Sequence, residues 1–480
     1  MKSLVGLPVL MLILLNPVWA QAPGSAYPGN QMSPAVPAMM NPAGNQNPLL
    51  GGIPSGKPTT GALPLSLSDA LKRALVYNLG VTLSGQATQA ARAARMLALS
   101  QLLPQVSTGV RESVQQVNLE ALGFSGFPGI PTVIGPFNVF DVRAYASQSV
   151  LDFPALNRWR AQRENVRAAE LSELDTRELV VFVSGNLYLQ AVASSSRIDA
   201  TRAQVATAQA LYNLAVDQKA AGVVPGIEVL RAQVELQAEQ QRLILAENQF
   251  ATDKLTLARA IGLPLGQEFT LADGMAYSPP PVVSQDDAIQ RAYRDRADYQ
   301  SAQARVRGAE SERKAAQTER LPALDFTGDY GIIGKRPWDS HGTFTAAASL
   351  RIPIFQGGSI RAQVQEADAV LRQQEAQLED LRGRIYYDVQ NAFLDLKAAA
   401  DRVQVAQSAL QLAHEQVAQS EDRFRAGVSS NIEVVQAQQA LATANENYIS
   451  SLYAHSSAKL SLAKAMGVRA DSYEQFLRGK

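Results

Sequence analysis

The sequence predicts a mixed α/β membrane protein built from a duplicated unit, in which long helices are continued by four strands that no single chain can close into a barrel. Three observations carry that expectation. The chain repeats itself at long range, each copy switches once from helical to two-residue periodicity, and each then enters a proline-free helical stretch far longer than a membrane is thick.

The repeat is the first of these. Residues 67–74 (LSDALKRA) return as 285–292 (QDDAIQRA), and Leu103-Pro104 returns as Leu321-Pro322, both 218 positions later. Phe153 and Phe355 lie 202 apart, while Asn186/Asn391, Arg197/Arg402, Gly222/Gly427, Glu228/Glu433 and Gly262/Gly467 lie 205 apart. The clearest pair is GVVPGIEVLRAQ (222–233) against GVSSNIEVVQAQ (427–438). The fall from 218 to 202 places 16 extra residues in the first copy, between Pro104 and Phe153. The expected organisation is a signal peptide over 1–20, a disordered segment over 21–63, a first repeat over 64–281, a second over 282–470, and a tail over 471–480.

Composition excludes several functions. Lys+Arg and Asp+Glu are both 44, so no strong basic field exists to hold nucleic acid. Cys is absent, which removes disulfides, thiolate catalysis, Cys-based metal sites and a thioether lipid anchor. The three His (His341, His414 and His455) are far apart, against a His-rich metal site, and no cofactor is expected. An apolar content of 46% still allows a large buried interface.

Lys2, the apolar run over 4–15, Asn16-Pro17 and Val18-Trp19-Ala20 read as a secretory signal cleaved after Ala20. The run is too short to span a bilayer, which takes about 20 apolar residues. No later stretch reads as a spanning helix, so membrane entry is expected through a barrel. Residues 21–63 hold eight Pro, seven Gly and no acid, a composition that buries too little apolar surface to offset ordering entropy. Within them Gly51 and Gly56-Lys57 mimic a phosphate loop, but Pro58 stands where Ser or Thr is needed and no strand precedes it. Met32, Met39 and Met40 are soft Cu(I)-type ligands by chemistry, and composition alone accounts for them equally.

Each copy opens with an Ala/Gln/Arg-rich helical stretch (about 66–102 and 284–320) that Pro104 or Pro322 stops. A hairpin follows, over 105–153 and 323–355. Val106, Thr108, Val110 and Val114 alternate with Ser107, Arg111, Ser113 and Gln115. Phe140, Val142, Ala144 and Ala146 do so on the return. In the second copy Leu324, Phe326, Tyr330 and Ile332 oppose Asp325, Thr327 and Asp329, and the return places Phe344, Ala346, Ala348, Leu350, Ile352 and Ile354 on one face. Strands of about ten residues with one apolar and one polar face are the signature of a transmembrane barrel. The first turn is long (120–136), the second short (334–340), with Phe124, Phe127 and Trp338 as candidate interface aromatics.

Helical readings over about 155–221 and 357–426 come next. At 1.5 Å per residue each reaches roughly 100 Å. Gly222 and Gly427 break them, and second helices run on to Gly262 and Gly467. Four strands cannot close a barrel, and an open edge cannot sit in lipid, so several copies must share one. Three copies give 12 strands, and the arithmetic also permits two or four.

The order of signal, helix, LP-terminated helix, hairpin, long helix, Gly-x-x-x-x-[Asp/Glu]-Val tip and a further helix, repeated in register over roughly 64–470, resembles the TolC-like outer-membrane efflux proteins. The resemblance implies a homotrimer with a shared 12-stranded β-barrel in outer-membrane lipid, continued by an α-helical barrel in the periplasm. It implies a passive exit duct that docks a periplasmic adaptor protein and, through it, an inner-membrane pump. The docking tips would be Gly222, Val223, Val224, Gly427, Val428 and Ser429. The family's constriction places acids six after the tip glycine and three beyond. Here those positions are Glu433 and Gln436, with Glu228 and Arg231 in the other copy, so only the first is acidic. Ser430 to Glu433 also reads as a capping box.

The alternative is a periplasmic or cell-surface coiled-coil scaffold or adhesin without a duct. An enzyme is not expected: Gly123-Phe124-Ser125-Gly126 is no nucleophile elbow, and the carboxylates lie on helices interspersed with Arg and Lys.

Overall fold

The computed structural model describes residues 47–123, 131–279, 283–426 and 428–473. The signal peptide, Met32, Met39, Met40, Phe124, Phe127 and Gly427 lie outside the described residues. The chain divides into two compact units. One holds described residues of 105–147 and 326–347, and the other holds the rest.

The larger unit is helical. It opens with a short strand β1 (Leu63–Leu65), followed by α1 (Leu67–Tyr77) and α2 (Leu79–Ser100). Ser66 caps α1 by accepting the Asp69 N–H at 3.2 Å, an arrangement the second copy repeats. The helical stretch over 66–102 is two helices, because Asn78 is extended (φ −67°, ψ 137°) and its side chain caps α2 at Gly80 N (2.8 Å).

The hairpin strands β2 (Gln105–Asn118) and β3 (Val133–Leu151) lead into α3 (Phe153–Ala220), 68 residues long. Asp152 caps it at Ala155 N (2.7 Å). One stretch of α3 is long and apolar enough to cross a membrane by composition. That stretch is half buried within the chain, and Val180, Val181, Tyr188, Ala191 and Val192 on the helix are core residues. α4 (Gly226–Ala260) returns antiparallel to it, and β4 (Phe269–Leu271) pairs parallel with β1, Leu63 opposite Phe269.

The second copy follows the same plan: α5 (Gln285–Asp295), α6 (Ala297–Thr318), β5 (Ala323–Gly334), β6 (Ser340–Arg351), α7 (Ser359–Arg425) and α8 (Asn431–Ala465). Ser284 caps α5 as Ser66 caps α1, through Asp287 N at 3.1 Å. Here too the helical stretch, 284–320, is divided, at Arg296 (φ −64°, ψ 122°). The hairpin expected to reach 355 loses its strand at Arg351, since Pro353 has no N–H to offer a ladder.

Two apolar clusters hold the helices. Leu71, Val181, Ile289, Ile385, Val389, Leu460, Leu462 and Met466 join α1, α3, α5, α7 and α8. Leu65, Tyr188, Leu257, Ile261 and Phe269 join β1, α3, α4 and β4. Fully burying each large side chain is worth about 1.5–3 kcal/mol, so these clusters anchor one end of helices that extend far beyond them. Tyr473 is fully buried in the first cluster, so the expected tail begins inside the core.

Residues 47–63 also depart from the expected disorder. Asn78 Nδ2 donates to Leu49 O at 2.8 Å, Ile53 N–H to Tyr77 O at 2.8 Å, and Thr59 N–H to Gln267 Oε1 at 2.7 Å. A Cβ on Gly52 would stand 2.3 Å from Arg259 O, so only glycine lets the strap lie this close to the end of α4. Composition averages over a segment, whereas backbone partners from α1 and α4 order this part of it.

The four long strands form one sheet in the order β2-β3-β5-β6. β2 and β3 are antiparallel, with Val106 opposite Ala146 and Val110 opposite Val142, and a register shift between Gln115 and Val117. The even positions form the apolar face, where Val106 is 72% and Phe344 is 77% exposed in the single chain. β2 and β6 are open edges, which lipid does not tolerate without pairing to another copy.

Candidate functional site

The helical hairpins end in two turns of the same construction. α3 stops at Ala220 and Gly222 follows at φ +74°. That left-handed backbone lets Gly222 N–H donate to Lys219 O (3.0 Å) and Val223 N–H to Gln218 O (2.8 Å). In the second copy Val428 N–H donates to Arg423 O at 3.1 Å, the same closing bond. Val223 and Val428 are left 63% and 67% exposed. Val224 and Ser429 are half-buried.

Pro225 and Ser430 then begin α4 and α8. The capping box expected at Ser430 does not form, and Glu433 N–H bonds the Ser430 carbonyl instead (3.2 Å). The Glu433 carboxylate turns to Arg423 on α7, 3.1 Å away, a charge-assisted bond stronger than one to a neutral amide.

The four constriction candidates differ in setting. Glu228 is buried, one oxygen accepting from Arg231 at 2.7 Å and the other with no partner among the described residues. Glu433 is half-buried, while Arg231 and Gln436 are exposed.

Sequence reasoning missed the residues behind them. Glu235 and Glu239 are also buried, on the same side of α4 as Glu228. Burial pushes the Glu239 carboxyl up, with Arg242 opposing and Glu235 adding to the shift. Glu235 Oε1, Glu239 Oε2, Gln218 Oε1, Gln438 Nε2 and both polar atoms of Asn431 also lack partners among the described residues. Each such group costs about 1–3 kcal/mol, so packing toward the tips is weak compared with the apolar clusters. The spacing of 7 and 4 between the three glutamates was the available signal, since it puts them on one helical stripe.

A second charged cluster sits at the break between α5 and α6. Arg296 donates to Asp298 at 2.7 Å and to Asp388 on α7 at 3.0 Å. Nearby on α3, burial raises Asp175 to about 6, with Asp298 adding to it. Burial raises Glu178 to about 8, with Asp175 and Asp298 adding and Arg296 and Arg469 opposing.

The sequence pattern of the outer membrane efflux protein family matches residues 70–263 and 288–468, both repeats. The pyoverdine export outer membrane protein OpmQ of Pseudomonas putida is 26% identical over 395 residues, covering 78% of this chain and 80% of that protein. The toluene efflux pump outer membrane protein TtgC of Pseudomonas putida is 22% identical over 417 residues, covering 84% and 83%. Among solved structures, the Campylobacter jejuni CmeC outer membrane channel superposes with a TM-score of 0.75 at 18% identity, covering 89% of this chain and 93% of that one. The outer-membrane channel OprN gives 0.74 at 16% identity, covering 84% and 89%. With both copies of its repeat matched and the fold shared, the chain belongs to the outer membrane efflux protein family.

Proposed function

We propose that the two tips of this outer-membrane efflux channel dock a periplasmic adaptor and, through it, an inner-membrane pump. The duct itself is passive, and Glu228, Arg231, Glu433 and Gln436 line its narrow end. The observation that carries the reading is the pair of tip valines, Val223 and Val428. Both are apolar and exposed, and the same closing hydrogen bond holds them 205 residues apart in the chain. A solvent-facing tip has no internal need for either. An apolar tip flanked by polar helix is what a protein partner covers.

The relatives' names, pyoverdine export in one and toluene efflux in another, favour small organic compounds as the cargo class. The reading without a duct explains neither the open sheet edges nor the apolar sheet face.

The test is a pair of charge insertions, Val223→Asp and Val428→Asp. Trimers should still reach the outer membrane, while co-purification with the adaptor and efflux in whole cells should fall together. Full efflux by the double variant would refute tip docking.

A further inference from the structure

The polar face of the sheet carries a balanced group of charges that tip docking does not use. Within the smaller unit these are Arg111, Asp141, Arg143 and Asp329, all at odd positions of their strands. Arg143 is the centre. Its Nε donates to Asp141 Oδ1 at 3.3 Å, its Nη1 to Asp329 Oδ1 and its Nη2 to Thr343 Oγ1 at 3.1 Å. One guanidinium thus ties β3, β5 and β6. Arg111 stands opposite Asp141 in the β2–β3 register, so two positive and two negative groups sum to zero.

The seat for Arg143 is built from glycine. Gly109 is its register partner on β2 and brings no side chain. On β5, a Cβ added to Gly331 would fall 2.7 Å from Arg143 Cα and 2.3 Å from Val142 O. Glycine weakens a strand, and Gly331 gives up that propensity to let β5 lie this close to the backbone that carries Arg143. The Arg143 side chain is only 14% exposed, with that of Asp141 at 21% and that of Asp329 at 18%. Ion pairs this covered return little net stability, because desolvation offsets attraction. Stability alone therefore does not explain them. In the larger unit Arg351 and Asp325, also at odd positions of their strands, lie 3.6 Å apart and are neutral in the same way.

We propose that Arg143 sets the charge preference of the barrel lumen: together with Arg111 it cancels Asp141 and Asp329, so the wall favours cargo of neither sign. The inference rests on the channel reading, with the odd face lining the lumen. Removing Arg143 would leave an uncompensated negative charge on each chain, a ring of three in the trimer.

The absence of Cys makes a local measurement possible. Thr345→Cys lies two residues from Thr343 on the same face, roughly 7 Å along the strand. A cationic and an anionic methanethiosulfonate of similar size, added to the external side of the reconstituted trimer, report the potential there through their rate ratio. Reaction at this position is independent of the tip, which would dominate a conductance measurement.

Arg143→Gln should raise the cation-to-anion ratio roughly threefold, for one charge at that distance, screened at 0.1 M salt and read by reagents two charges apart. Asp329→Asn should lower the ratio by a similar factor, and the double variant should restore it. If Arg143→Gln fails to form trimers, Asp329→Asn alone decides the matter, because it leaves an unbalanced arginine. An unchanged ratio in Asp329→Asn would overturn the proposal and leave Arg143 as a strand tie. A Thr345→Cys that ignores both reagents while Phe344→Cys reacts would overturn the face assignment beneath it. Conduction by the same trimers would leave the channel reading standing in either case.

Discussion

Glu178 offers the most direct test of the energetics. Its carboxyl stands at about 8 in the folded chain against 4.5 when free, because it is largely buried on α3 and faces Asp175 and Asp298. Arg296 and Arg469 offset only part of this. A carboxyl raised in the folded state contributes stability that is complete below pH 4.5 and is lost as pH rises through 8. The shift spans roughly 3.5 pKa units, an upper bound near 5 kcal/mol per chain at about 1.4 kcal/mol per unit. The group retains some solvent access, which screens the interaction, and ~2 kcal/mol is the expected size. Glu178→Gln keeps the shape and removes the titration. Thermal unfolding of the detergent-solubilised protein, at fixed salt between pH 5 and 8, reads the difference. The wild-type midpoint should fall as pH rises, and the variant should lose most of that fall above pH 6, keeping the share due to Asp175, which stands at about 6. A variant with the wild-type slope, or a wild-type midpoint that rises with pH, would refute the reasoning.

Two further outcomes follow from the strands and the tip. Phe326→Arg places a charge on the apolar face of β5 and should impair membrane insertion by roughly 2–4 kcal/mol near the bilayer midplane, whereas Thr327→Arg should be tolerated. Equal insertion of both, measured by outer-membrane fractionation, would mean the strand assignment or its register is wrong. Glu433→Gln breaks a half-exposed pair with Arg423, worth about 0–1 kcal/mol, so thermal stability should barely move. Conductance and cation preference in planar bilayers should change if this residue lines the pore, and unaltered values would remove it from the constriction.

Much of this architecture was legible because the signals are periodic and occur twice. Alternation over β5, with Phe326 and Tyr330 against Asp325 and Asp329, needs no tertiary information, and Gly222 and Gly262 mark helix ends by backbone chemistry alone. The breaks at Asn78 and Arg296 were not legible. Neither Gly nor Pro stands there, and a polar residue inside a helical pattern reads as an exposed position until its partners are known. The same blindness hid Glu235 and Glu239: acids at helical spacing look like a solvated stripe, and only the packed hairpin buries them. Ordering of residues 47–63 escaped for the opposite reason, since several of the groups that fix them lie far along the chain, with Gly262 O accepting from Ser55 N–H and Gln267 Oε1 from Thr59 N–H, 208 positions away in the latter case. Pro353 was a signal in plain view, and it should have ended β6 early.

The two hinges show how duplication and specialisation coexist in one chain. Asn78 and Arg296 are 218 residues apart, the spacing of the repeat, and both hold the chain extended between two helices. Each meets a left-handed glycine region at the end of its partner helix, Gly262 at φ +63° and Gly467 at φ +68°. The first copy fills the space with the strap, Asn78 Nδ2 reaching Leu49 O and Ala260 O while Gly262 packs under Ile53. The second copy fills it with Arg296, whose backbone lies against Gly467 and whose guanidinium serves Asp298 and Asp388. A neutral amide suffices where backbone carbonyls must be satisfied, whereas a cation is required where carboxylates gather in a low-dielectric setting. The raised carboxyls of Asp175 and Glu178 therefore belong to the second hinge alone. On the proposed reading of three chains around one axis, such groups would recur three times and not six, so proton-linked softening of the helices would act once per chain.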